Sequence, residues 1–238
     1  LESFSRIKVC ILKIKKIVFS ELIINKKCYC KCDCIIKNSL YFKMQLRNIA
    51  NDSSNYLDGL KKELVQLINN LVHLCNTHNQ QQLIWCGRTD QWSILQHLEH
   101  IHLHNVSFIE KSFNSLNDLP TRPDQNSTSQ PFRHSSSGSL YINSISPDSQ
   151  LKMRALPNFV PTGKLDRLKT LKRLKKSTGE MFKLIEESRL INLNNIRLTI
   201  PGCNLVFYLG DVLQIIIQHT NRHVKQINTL VSNPAFPN

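Results

Sequence analysis

Glycine is scarce in this chain, 7 among 238 residues. Folds punctuated by glycine at each turn, Rossmann-type sheets and β-sandwiches among them, are therefore disfavoured. Uninterrupted apolar runs are also missing. The apolar stretch from Ile7 to Ile24 is broken by Lys8, Lys13, Lys15 and Lys16. That excludes an ordinary transmembrane span, and the same lysines leave no signal-peptide core, so no membrane partner is expected. Acidic residues are few, 17 against 31 Lys and Arg, for a formal charge of +14. Residues 1–43 hold ten Lys/Arg and three Asp/Glu, a net of +7 and thus half the excess. Aromatic residues do not interleave with the charge, so base stacking, and with it a nucleic-acid partner, is not expected. The cysteines lack a disulfide framework. Four crowd into Cys28, Cys30, Cys32 and Cys34, while Cys75, Cys86 and Cys203 are scattered. A reduced, cytoplasmic setting is expected.

Residues 1–43 differ from the rest of the chain: they contain no methionine and show no amphipathic stripe. They read as an N-terminal extension outside the fold, with translation starting naturally at Met44. The C-x-C spacing of Cys28 to Cys34 departs from the C-x-x-C of zinc ribbons. From Asn51 a helical period takes over. Asp52 or Ser53 can cap a helix over 54–77, with Leu57, Leu60, Leu64, Leu67, Ile68, Leu71 and Cys75 at three- and four-residue steps. A second helix opens at Ser93, where Gln96 three residues on completes a capping box and Trp92 precedes the cap. It runs to about Asn117. Its His97, His100 and His104 fall on one flank, within about 60° at 100° per residue.

Residues 118–160 are rich in Pro, Ser, Asn and Thr and are expected to form a long, mobile insertion without a core, His134 in it being solvated. A third helix opens after Pro161-Thr162 and runs to Ser188 on a leucine seam. Its Lys164, Arg167, Lys169, Lys172, Arg173, Lys175 and Lys176 read as a solvated face. A polar connection through Asn195 and Pro201-Gly202 leads to a fourth helix, capped at Asp211. With no strand signal, the pattern gives an all-α fold, a four-helix bundle over residues 52–232.

The last helix carries His219 and His223, four residues apart. Side chains at i and i+4 stack on one face, so both imidazoles can address one metal ion. A pair of half-buried, hydrogen-bonded histidines is the plainer alternative. Which histidine of the second helix joins them is left open by spacing alone.

Two stretches carry a family resemblance. "WSILQHLEHI" resembles the W-S-x-x-E-x-x-x-H-L motif opening the second helix of DinB/YfiT-like proteins, and "GDVLQIIIQHTNRHVKQI" resembles their last helix, ending H-x-x-R/H-H-x-x-Q. The resemblance implies an up-down-down-up four-helix bundle with a divalent metal on three histidines, here His100, His219 and His223. His97 stands where the family is apolar and Gln96 where Glu is common; His104 is the alternative to His100. Three neutral imidazoles suit Zn²⁺, Ni²⁺ or Fe²⁺ and leave the metal an open position. The activity so implied is thiol S-transfer or hydrolysis, on a small-molecule thiol or electrophilic substrate. A catalytically silent binding or stress-response module on the same fold is the alternative. Such bundles commonly dimerise through exposed helix faces, which makes a homodimer a further expectation. Gln226 is a candidate to orient His223, and Glu99 and Glu110 are the acids nearest in sequence to the second-helix histidines.

Overall fold

A computed structural model describes residues 32–118, 131–189 and 191–237, with side chains from residue 53 onward. Cys28, Cys30 and the first part of the extension lie outside the described residues, as do the side chains of Cys32 and Cys34. The chain is mostly helical. In order come α1 (Cys32–Thr77), α2 (Gln80–Ile84), α3 (Ile94–Asn117), α4 (Ser136–Ile145), a 3₁₀ turn (Pro157–Phe159), α5 (Arg167–Ser188), β1 (Arg197–Ile200), β2 (Cys203–Tyr208) and α6 (Leu209–Val231).

Four long helices share one core. α1 buries Leu57, Leu60, Leu64, Leu67, Leu71 and Cys75, the stripe expected from its period. The helix itself starts at Cys32 and runs through Asp52 and Ser53, so neither residue caps it, and the change of composition at residue 43 falls inside it. Side-chain contacts fix the directions. Tyr56 donates to the Gly210 carbonyl at 2.8 Å and Gln218 to Glu63 at 3.3 Å, so α1 and α6 run the same way. Arg189 meets Asp58 at 2.6 Å while Arg167 reaches the Cys75 carbonyl at 3.5 Å, so α5 runs against α1. The pairing of His97 with His223 and of His100 with His219 sets α3 against α6, and hence alongside α5. Buried Glu99 of α3 pairs with Arg173 of α5 at 3.0 Å.

The α3 start follows its sequence closely. Ser93 Oγ accepts from the Gln96 N–H at 3.3 Å and Gln96 Oε1 from the Ser93 N–H at 2.9 Å. This reciprocal cap satisfies two donors the first turn leaves open. α5 begins at Arg167 behind an Asp166 cap, later than Thr162.

Three expectations are corrected. First, strands exist: β1 and β2 pair antiparallel, Leu198 opposite Phe207, around a turn in which Gly202 holds φ 72°. Only glycine adopts that region without cost. Second, α6 begins at Leu209, so Asp211 sits inside its first turn, accepting from the Tyr208 N–H at 2.9 Å. Third, residues 131–160 contribute to the core through Ile145 and Phe159. Asp211, fully buried, is the anchor. It accepts from Ser135 Oγ at 2.6 Å and is bonded to His134 Nδ1 at 2.8 Å. His134 is thus a tether and not a free surface group. A short-range composition reading misses this because the carboxylate that binds the insertion lies far along the chain.

Candidate metal centre

α3 and α6 cross so that their histidines interleave. His100 Nε2 lies 3.1 Å from His219 Nε2, which lies 3.1 Å from His223 Nε2. The three side-chain nitrogens fall within 4.8 Å of one another. Two imidazole nitrogens on one ion at about 2.0–2.1 Å stand about 2.8–3.4 Å apart, for angles between a right angle and the tetrahedral one. The two 3.1 Å spacings about His219 fit that range.

Tautomers bear on the fit. His100 Nδ1 lies 2.7 Å from the Phe159 carbonyl, which has no proton to give, so Nδ1 is the donor. In the neutral ring Nε2 is then a bare lone pair aimed at the cluster. Burial keeps the rings neutral. It pushes His100, His219 and His223 below their ordinary pKa, with the neighbouring histidines adding to the effect on the latter two. Neutral imidazole is the form a metal needs. His219 Nδ1 is buried without a partner among the described residues.

Five imidazole rings pack together here. His104, pushed down to about 3 by burial and by His100, stacks on His219 with centroids 3.7 Å apart and planes 15° apart. Its other face lies on Phe108 at 3.9 Å. It is a stacking partner of the cluster, and His100 is the α3 histidine the geometry places with His219 and His223. His97, also pushed down to about 3, meets His223 through Nδ1 to Nδ1 at 3.0 Å. Trp92 lies against His97 and His100, with centroids at 5.6 and 4.6 Å.

The cluster faces a cavity of about 850 Å³. Trp92, Phe108, Tyr141, Leu156 and Phe159 give it apolar walls, and Lys152 and Arg154 stand exposed at its edge. Residues 141–160, read from sequence as coreless, therefore build one side of the site. Arg222 holds them there, donating to the carbonyls of Ser146 at 3.1 Å and Leu151 at 2.5 Å. Glu99 turns toward α5 and Glu110 lines a separate groove between α3 and α5, so neither acid reaches the histidines. Sequence reasoning missed Phe159 as the His100 partner and His97 as the His223 partner. The apolar island "ALPNF" inside the polar insertion was the available signal for the first.

A mostly helical chain with three converging histidines beside a cavity defines a class: helical proteins with a site that could hold a divalent ion. The DinB superfamily profile matches residues 63–227, and the chain belongs to that superfamily. No curated protein and no solved structure matches it. Among the described residues no helix is long and apolar enough to cross a membrane.

Proposed function

We propose that the chain is a metal-dependent S-transferase built on an up-down-down-up four-helix bundle, with His100, His219 and His223 holding one Zn²⁺, Ni²⁺ or Fe²⁺. The helix directions support that topology. The observation carrying the reading is the convergence of three Nε2 atoms at 3.1 Å steps, one of them held as a bare lone pair by the Phe159 carbonyl. A divalent ion with three protein ligands supplies Lewis acidity that makes a thiol or a water nucleophilic near neutral pH.

The cavity favours the thiol. Among the described residues that line it, Asp90 is the one carboxylate, exposed at the edge and paired with Arg88 at 3.3 Å. Burial holds the cavity's remaining imidazoles, His97 and His104, in the neutral form, whereas hydrolysis of an amide needs a positioned acid to protonate the departing nitrogen. Transfer of a thiol to an electrophile, R–SH + R′–X → R–S–R′ + HX, does not. The C–S bond forms, X leaves with the electron pair of the C–X bond, and the thiol proton is released. Trp92, Phe108 and Phe159 offer apolar surface to the electrophile. Lys152 and Arg154 suit an anionic group on either substrate. Metal-dependent hydrolysis at the same ion is the second activity the site accommodates.

Elemental analysis of the purified chain tests the reading. One divalent ion per chain, lost in the double variant His219→Ala, His223→Ala, is expected; a metal-free wild type sinks it. Bound metal with no turnover over a panel of small thiols and alkylating electrophiles would instead identify a catalytically silent module.

A further inference from the structure

His97 stands in the core of the cluster without belonging to the three converging Nε2 atoms. It is buried, and its Nδ1 lies 3.0 Å from Nδ1 of His223. Two facing imidazole nitrogens at that distance share one proton, so one ring donates and the other accepts. The choice fixes His223. If His223 donates from Nδ1, its Nε2 is a bare lone pair directed at His219 Nε2. If His97 donates, the proton of His223 moves to Nε2 and points into the centre of the cluster, which closes that nitrogen to a metal.

We infer that His97 is a positioning residue for His223, accepting its Nδ1–H through the His97 Nδ1 lone pair and so holding the His223 Nε2 ready for an ion. This rests on the metal-binding reading proposed above. Metal-ligating histidines generally pass their second N–H to an acceptor, which sets ring orientation and tautomer. A carbonyl serves His100 in that way, and a neighbouring imidazole serves His223. The Trp92 ring lies against His97 and also over His223, with centroids 5.6 and 6.1 Å away, so both imidazoles are confined in register. Gln226 also reaches the His223 ring with its side chain but is exposed, and is the competing acceptor.

Zinc affinity of the full chain, measured by competition with a chromophoric chelator, tests the role. His97→Phe keeps an aromatic ring and removes the acceptor; it is expected to weaken Zn²⁺ binding by about 10- to 100-fold. His97→Gln, which restores an acceptor oxygen, recovers part of the loss, and Gln226→Leu costs less affinity than His97→Phe; a larger loss in Gln226→Leu would assign the role to Gln226 and overturn the inference. In a His223→Ala background His97→Phe has no further effect, because the ring it positions is gone. Equal affinity of His97→Phe and wild type overturns the inference, as does an equal loss in the His223→Ala background, which would mark a merely structural role. If His97→Phe does not fold, long-range ¹⁵N spectra of the zinc-loaded wild type decide. Protonation of His223 at Nδ1 and of His97 at Nε2 supports the role, and the reverse pattern overturns it. A wild type that binds none of Zn²⁺, Ni²⁺ and Fe²⁺ overturns the metal reading itself, a result distinct from metal binding that ignores His97.

Discussion

Acidifying the metal-free chain from about pH 7.5 to about pH 5.5 is expected to cost it a large part of its stability, given an ordinary histidine pKa of about 6.5. Burial, with the neighbouring His100 adding to it, holds His97 and His104 down to about 3 in the folded state. The unfolded chain therefore takes up protons below about pH 6.5 that the folded chain refuses, and stability falls as pH falls until the folded pKa is reached. At one unit below the unfolded value each such ring costs about 1.4 kcal/mol, so these two alone remove about 3 kcal/mol at about pH 5.5. His100, His219 and His223 shift in the same direction and add to that. A domain has about 5–15 kcal/mol in all. Urea unfolding across this pH range, with chelator present, reads the effect. His104→Phe removes one titrating ring, and its pH dependence should be shallower by about 1.4 kcal/mol over the same interval. A wild type equally stable at both pH values would refute the claim that these rings are held buried and neutral.

Asp211→Ala should cost about 3–5 kcal/mol, since it leaves Ser135, the Tyr208 N–H and His134 without their shared buried acceptor. Chemical denaturation measures it, and limited proteolysis should cut within residues 131–160 sooner than in wild type. Ser93→Ala removes the acceptor that caps α3 and should cost about 1 kcal/mol in the same assay.

Much of the helical scaffold was legible because its signals are local. The leucine steps of α1 and the Ser93–Gln96 box each lie within one or two turns of chain, and the i,i+4 spacing of His219 and His223 needs nothing beyond α6. What stayed hidden depends on contacts distant in sequence. Ser135 and His134 look like loop residues until Asp211, more than seventy positions later, accepts from both. The hairpin escaped notice because β1 has only four residues, of which only Leu198 and Ile200 are buried, too short a run for alternation to stand out. His97, His100 and His104 share a flank of α3, and their separate surroundings arise only when α6 and Phe159 are in place. Family resemblance singles out His100, and its Nε2 lies 3.1 Å from His219 Nε2, while His97 meets His223 and His104 stacks on His219.

X-ray absorption of the metal-loaded chain tests the central claim most directly. Three imidazole nitrogens at about 2.0–2.1 Å around a single ion are expected, with the imidazole signal reduced in His100→Ala. A first shell dominated by sulfur, or a spectrum unchanged by His100→Ala, would contradict the account.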